Sequence, residues 1–237
     1  MRLRGLVALA VATLAGCTGA PAPAVPVRIE IGHTRHQAPL TLDQADGDGV
    51  AITRLTYYLG GVRLKGRDGR WVAARADGGD LVLVDARVPD SLAFEALQVA
   101  PQAYDTLEFR IGVPPLLADG TARGGVLDPA RGMFWTWKAG YVFFALEGHS
   151  PSSTAKDGGV FWHAGGEPSL LRTIALPLAG FHVTPAARPV IHLGADLDAL
   201  LAAVDVAQHP EVMEPATSAP VLDAVAGMFR VEHVHLR

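Results

Sequence analysis

Histidine and tryptophan carry most of the special chemistry available to this 237-residue chain, which has nine of the first and four of the second. Neutral imidazole is the commonest metal ligand and suits copper and zinc. His33 and His36 stand where a strand pattern gives way to a loop, a spacing that fits one shared metal or two surface residues. His233 and His235 are two apart in a strand-like stretch, so they share one face. Without a third partner, that face reads as solvated. His149, His163, His182, His192 and His209 stand singly. The sole cysteine, Cys17, excludes a C-x-x-C zinc site and any disulfide within one chain.

The tryptophans are less ordinary. Residues 133–137 read Met-Phe-Trp-Thr-Trp. In a strand, Trp135, Trp137, Ala139 and Tyr141 would share one face, and Phe134, Thr136 and Lys138 the other. Such a face reads first as a core anchored by two indoles, and otherwise as an indole beside a metal or redox partner; spacing does not decide between them. Nucleophilic catalysis finds no support. There is no phosphate loop, G-x-S-x-G or H-E-x-x-H, and Ser150 after His149 lacks a nucleophile elbow. Glu108 and Glu147 could face each other across strands, and a retaining glycosidase would need such carboxyls about 5 Å apart.

The elements that must position these residues are strands. Hydrophobic residues make up 49% and charged residues 19%, which excludes a disordered chain. The 26 glycines and 17 prolines suit a turn-rich β protein better than a helical one. Strand patterns run over 27–32, 53–64, 71–74, 80–85, 103–113, 133–147, 170–178 and 190–193. Turn signals separate them at 67–69 (RDG), 77–79 (DGG), 119–120 (DG) and 156–159 (KDGG). The expectation is an all-β fold: a single antiparallel β-sandwich with one short helix near the C-terminus, over 196–207 (DLDALLAAVDVA). The net charge of −4 is spread along the chain without a basic block, which argues against nucleic acid as a partner.

Residues 1–16 read as a secretory signal: Arg2 and Arg4, an apolar run too short to span a bilayer, then small residues. Leu14-Ala15-Gly16-Cys17 looks like a bacterial lipobox, which implies cleavage before Cys17 and acylation of its thiol. Removing Arg2 and Arg4 would make the chain two charges more negative than −4. Residues 17–26 then form a lipid-anchored Ala/Pro-rich linker, and 27–237 one domain. Thr18 stands where enterobacterial lipoproteins carry an Asp retention signal, so the expected location is the outer membrane, on its periplasmic side.

The segment GMFWTWKAGYVFFALEG (132–148) resembles the M-[FY]-W-[ST]-W-x-x-G-Y-x-F-x-x-L-[ED]-G signature of the MbnP-like, methanobactin-associated periplasmic copper-protein family. Further segments fit in the same order. They are H-x-x-x-x-x-P-L (33–40), LTYYLGGVRL (55–64), DLVLVD (80–85), Y-x-x-L-x-F-x-I-G-V (104–113), G-x-L-D-P-A-x-G-M-F-W (125–135) and FWHAGG (161–166). The resemblance implies an exported β-sandwich that binds copper through histidines and a tryptophan oxidised to kynurenine by a partner dihaem cytochrome c of the peroxidase class. Carried over residue by residue, His33 and His163 are the implied ligand histidines, and Trp135 or Trp137 the modified residue. Opening the indole ring would create an aromatic amine donor, where indole nitrogen only donates a hydrogen bond. Together with Cys17 as lipid anchor, this gives the expected function: a non-enzymatic, membrane-tethered copper-binding protein. The competing expectation is a structural or adhesive β-sandwich lipoprotein without metal.

Overall fold

The computed structural model describes residues 24–73, 81–137 and 140–236. The signal region, Cys17, most of the linker, the turn at 77–79, Lys138 and Ala139 lie outside them. In chain order the strands are β1 (Val25–Arg35), β2 (Ala38–Pro39), β3 (Ala51–Gly66), β4 (Trp71–Ala73), β5 (Val82–Asp85), β6 (Ala93–Val99) and β7 (Ala103–Ile111). They continue as β8 (Phe134–Trp135), β9 (Gly140–His149), β10 (Gly159–Gly165), β11 (Arg172–His182), β12 (Pro189–Asp196), β13 (Glu211–Val212) and β14 (Phe229–Leu236). Helix α1 spans Leu197–Ala203 and α2 spans Pro215–Gly227. None of the described helices is long and apolar enough to cross a membrane.

Two sheets face each other. The smaller has the order β14–β12–β1–β2, with β6 also on β1. The larger runs β11–β7–β3–β9–β10–β13, with β4 and β5 on β3 and β8 on β9. The expected all-β sandwich is therefore present, with one correction: not every strand pair is antiparallel. β1–β12 and β10–β13 run parallel, so both sheets are mixed. β1 and β12 are distant in sequence, and no tight hairpin forces them antiparallel.

Strict alternation on β1 shows why this chain forms a sandwich. Val25, Val27, Ile29, Ile31, His33 and Arg35 are buried, while the residues between them are not. The buried set faces the core; Arg28 and Glu30 face out. Across the interface stand Tyr57 of β3, Phe109 of β7 and Phe144 of β9, and Phe229 of β14 meets them from the same sheet as β1. Phe229 meets Phe109 and Tyr57 edge-on, at 5.2 and 5.8 Å between ring centroids. Each of these rings, fully buried, stabilises the fold by roughly 2–3 kcal/mol.

Helix α1 begins where expected. Asp196 caps it, accepting from the Asp198 and Ala199 amides. It ends at Ala203, shorter than its apolar pattern, because Val204 has already returned to extended backbone. Helix α2 and strands β6 and β10 fall outside the expected elements. The expected single strand over 133–147 is in fact β8 and β9, folded back on each other with Trp135 opposite Gly140. Trp135 and Trp137 therefore do not share a strand face: the first is 5% exposed and the second 61%. Gly140 permits the fold-back, since a Cβ there would sit 3.1 Å from the Gly166 carbonyl oxygen.

Candidate functional site

His33 ends the buried stripe of β1 and faces the core. Its Nε2 lies 3.0 Å from the Tyr57 hydroxyl. Burial lowers its pKa to about 4, so the imidazole is neutral at pH 7. Burial pushes the Tyr57 phenol upward, so it keeps its proton. The consistent assignment has Tyr57 donating to Nε2, which leaves the imidazole proton on Nδ1. A metal on Nε2 would have to displace that bond.

His163 sits on β10, and its face follows from the register. Thr56, Ala145 and His163 form one row across β3, β9 and β10, and Tyr57, Phe144 and Ala164 form the next. Neighbouring rows point to opposite faces. Tyr57 points between the sheets, so His163 points away from them, onto the outer face of the larger sheet. There its Nε2 lies 2.8 Å from Glu147 Oε1, which also accepts from Arg54 at 2.7 Å. Partial burial alone would raise the Glu147 pKa; hydrogen bonds from Arg54 and His163 outweigh it and hold the carboxyl below its ordinary range. Arg54 also reaches the Gly132 carbonyl and the Met133 sulfur, tying this triad to the start of β8.

The sheet itself thus separates the two histidines that the resemblance implies as ligands. His33 and His163 do not fit a single ion.

Trp135 is packed at the end of β10. Gly166 is what admits its ring: a Cβ there would come within 2.7 Å of Trp135 Cζ3. The neighbouring Gly165 has φ +149°, and a Cβ on it would meet the Phe143 amide nitrogen at 2.5 Å. Of the two glycines of FWHAGG, Gly166 is a steric requirement of the tryptophan pocket and Gly165 of the close packing of β10 on β9. Trp135 Nε1 is buried and has no hydrogen-bond partner among the described residues. Such an orphan costs about 1–3 kcal/mol. Trp137 lies in the turn beside it, with ring centroids 5.6 Å apart. A buried, unsatisfied indole is thereby in contact with an exposed one.

Glu108 and Glu147 do not make a catalytic pair. Glu108 is bonded to Arg63 at 2.5 Å, and Glu147 to Arg54. Arg54 and Arg63 are nine residues apart on β3, or about 30 Å at strand rise, a span the bulge between them shortens by only about one residue's rise.

Among the described residues, two groups of three metal-capable side chains bring their ligand atoms within 4.8 Å. One is His36, Asp46 and Asp48. Its acids are already bonded to Arg35, whose side chain is 4% exposed and also contacts Asp198. The other is His192, His233 and His235, on the outer face of the smaller sheet. Sequence reasoning placed the last two on one face but missed their partner on β12. The available signal was a histidine inside the apolar strand Val190-Ile191-His192-Leu193.

Residues 24–214 match the family MbnP. Among solved structures, the chain is similar in fold to MbnP from Methylosinus trichosporium. The TM-score is 0.52 at 17% identity, over 76% of this chain and 78% of that one. No curated protein matches.

Proposed function

We propose that this chain, which belongs to the MbnP family, is an exported copper-binding protein whose Trp135–Trp137 pair is the target of a partner oxidant. The observation that carries this reading is the contact between a buried indole lacking a hydrogen-bond partner and an exposed indole 5.6 Å away. Trp137 offers the surface from which a dihaem cytochrome c of the peroxidase class draws electrons. Trp135 holds the ring to be opened in a pocket with no competing hydrogen bond to break.

The conversion of tryptophan to kynurenine is a ring cleavage. Two equivalents of hydrogen peroxide, the co-reactant of a peroxidase-class partner, supply the two oxygen atoms added across the C2=C3 bond and leave as two waters; a further water then releases C2 as formate. The residue gains one oxygen and loses one carbon, and its indole N–H becomes an aromatic amine. Copper held beside an opened Trp135 draws on at most one of His33 and His163, because β3, β9 and β10 stand between them. Tethering through an acylated Cys17 on the periplasmic side of the outer membrane completes the reading.

The test is intact mass and copper content of protein co-produced with its partner cytochrome in an exporting host. The expected result is a Trp135-containing peptide carrying the kynurenine mass, with copper retained. Unmodified Trp135 and Trp137 with no copper retained would sink it and favour the structural lipoprotein, in which both indoles only pack.

A further inference from the structure

The outer face of the smaller sheet carries a constellation that the tryptophan chemistry does not use. Glu30, His192 and His233 form one row across β1, β12 and β14. His235 stands two rows on, opposite Val190, and so on the same face. The rings of His192 and His233 stack at 4.1 Å between centroids and 14° between planes. Nε2 of His192 lies 3.0 Å from Nδ1 of His235. Two imidazole nitrogens on one ion, at bonds near 2.0–2.1 Å, stand about 2.9 Å apart at a right angle and about 3.3 Å apart at a tetrahedral one. The observed spacing falls in that range.

A β-bulge builds this face. Ala195 pairs with Phe229 and Leu193 with Val231, and these residues point into the core. Continued alternation would send residue 233 inward as well. The register instead shifts between His192 and Leu193, leaving Glu232 as the extra residue and placing His233 opposite His192. One inserted residue reverses the facing of all that follows. The bulge is thus what lets one short strand bury Phe229 and still turn two histidines outward.

Glu30 completes the arrangement. Its Oε2 lies 3.6 Å from Nδ1 of His192, on the side of the ring away from His235. A carboxylate behind the distal nitrogen of a ligating histidine fixes its tautomer and strengthens it as a donor.

We infer that His192, His233 and His235 form a three-imidazole site for a divalent transition-metal ion, copper(II) or zinc(II), with Glu30 as the positioning residue behind His192. Three imidazoles with an open fourth position suit both ions, and copper(II) binds such donors more tightly. The site uses neither His33, His163 nor the tryptophans, so it does not rest on ring oxidation.

The test uses the full chain produced without any partner cytochrome, stripped of metal, and titrated with copper(II) and zinc(II) at pH 7.5 by calorimetry. The expected result is one ion bound by the parent and by His163→Ala. A partner behind one ligand is commonly worth 10–100-fold, so His233→Ala/His235→Ala should lose at least about 100-fold and Glu30→Gln about 10-fold. A second readout needs no variant: bound copper(II) should shield His192, His233 and His235 from diethyl pyrocarbonate and show nitrogen hyperfine structure. Equal binding by the double variant, no binding by the parent, or shielding of His33 or His163 instead would each overturn the assignment. The tryptophans are intact in this material, so that failure stays separate from failure of the oxidation reading.

Discussion

Replacing His33 by glutamine should remove a specific pH dependence from stability. Burial takes the His33 pKa from 6.5 to about 4. The unfolded chain therefore binds a proton in a range where the folded chain does not. Stability contributed by the neutral ring is complete above pH 6.5, falls with falling pH, and is lost by about pH 4. At ~1.4 kcal/mol for each pH unit, the whole window carries about 3 kcal/mol. At pH 5 about 2 kcal/mol of it is already gone. Glutamine keeps an acceptor for the Tyr57 hydroxyl but does not titrate. The assay is urea unfolding by tryptophan fluorescence, with chelator, from pH 7.5 to 5.0, extrapolated linearly. Parent and His33→Gln should diverge below pH 6.5, the parent losing about 2 kcal/mol more by pH 5. Glu147 and Asp48, both held below the ordinary carboxylate range, are present in both proteins and cancel. Parallel stability curves over this range would refute the argument that His33 is buried and neutral.

Arg35→Met leaves Asp46, Asp48 and Asp198 facing one another without their common cation. Since the acids are partly solvated, the loss should be about 2–4 kcal/mol at pH 7 and smaller at pH 4, read by denaturant midpoint. Gly165→Ala sets a Cβ against the Phe143 backbone at positive φ and should cost about 3 kcal/mol or more, measured as the fall in Tm. Trp137→Phe, at an exposed turn, should change stability by less than about 0.5 kcal/mol. The same variant should slow oxidation of Trp135 by the partner, followed by mass spectrometry.

Strand alternation and turn signals made the sandwich legible from the chain. The β1 pattern, buried at every second residue from Val25 to Arg35, is the clearest instance. Helix α2 was hidden because it opens on Pro215 and contains Pro220, with small residues between them that carry little helical pattern. The split between β8 and β9 was hidden because a local hairpin and one long strand share the same apolar sequence. The site was legible by residue type but not by face. Nothing in the spacing of His33 and His163 says that a sheet lies between them, and nothing near His233 and His235 points back along the chain to His192 on β12. Register settles both, and register is a long-range property.

The parallel pairing of β1 with β12 also governs how the molecule can assemble. β1 lies centrally in its sheet, yet β12 and β14 come from the far end of the sequence. A chain that emerges amino end first cannot complete that sheet until residues near 236 are available. Contacts of such sequence separation slow folding, because loop entropy is lost before pairing repays it. β2 and β6 cover one edge of β1 early, but until then its other edge stays unsatisfied beside a stripe of valine and isoleucine, the kind of strand most open to mispairing. An ion gripping β12 and β14 on the outer face would act late, as a latch on the last strand to dock.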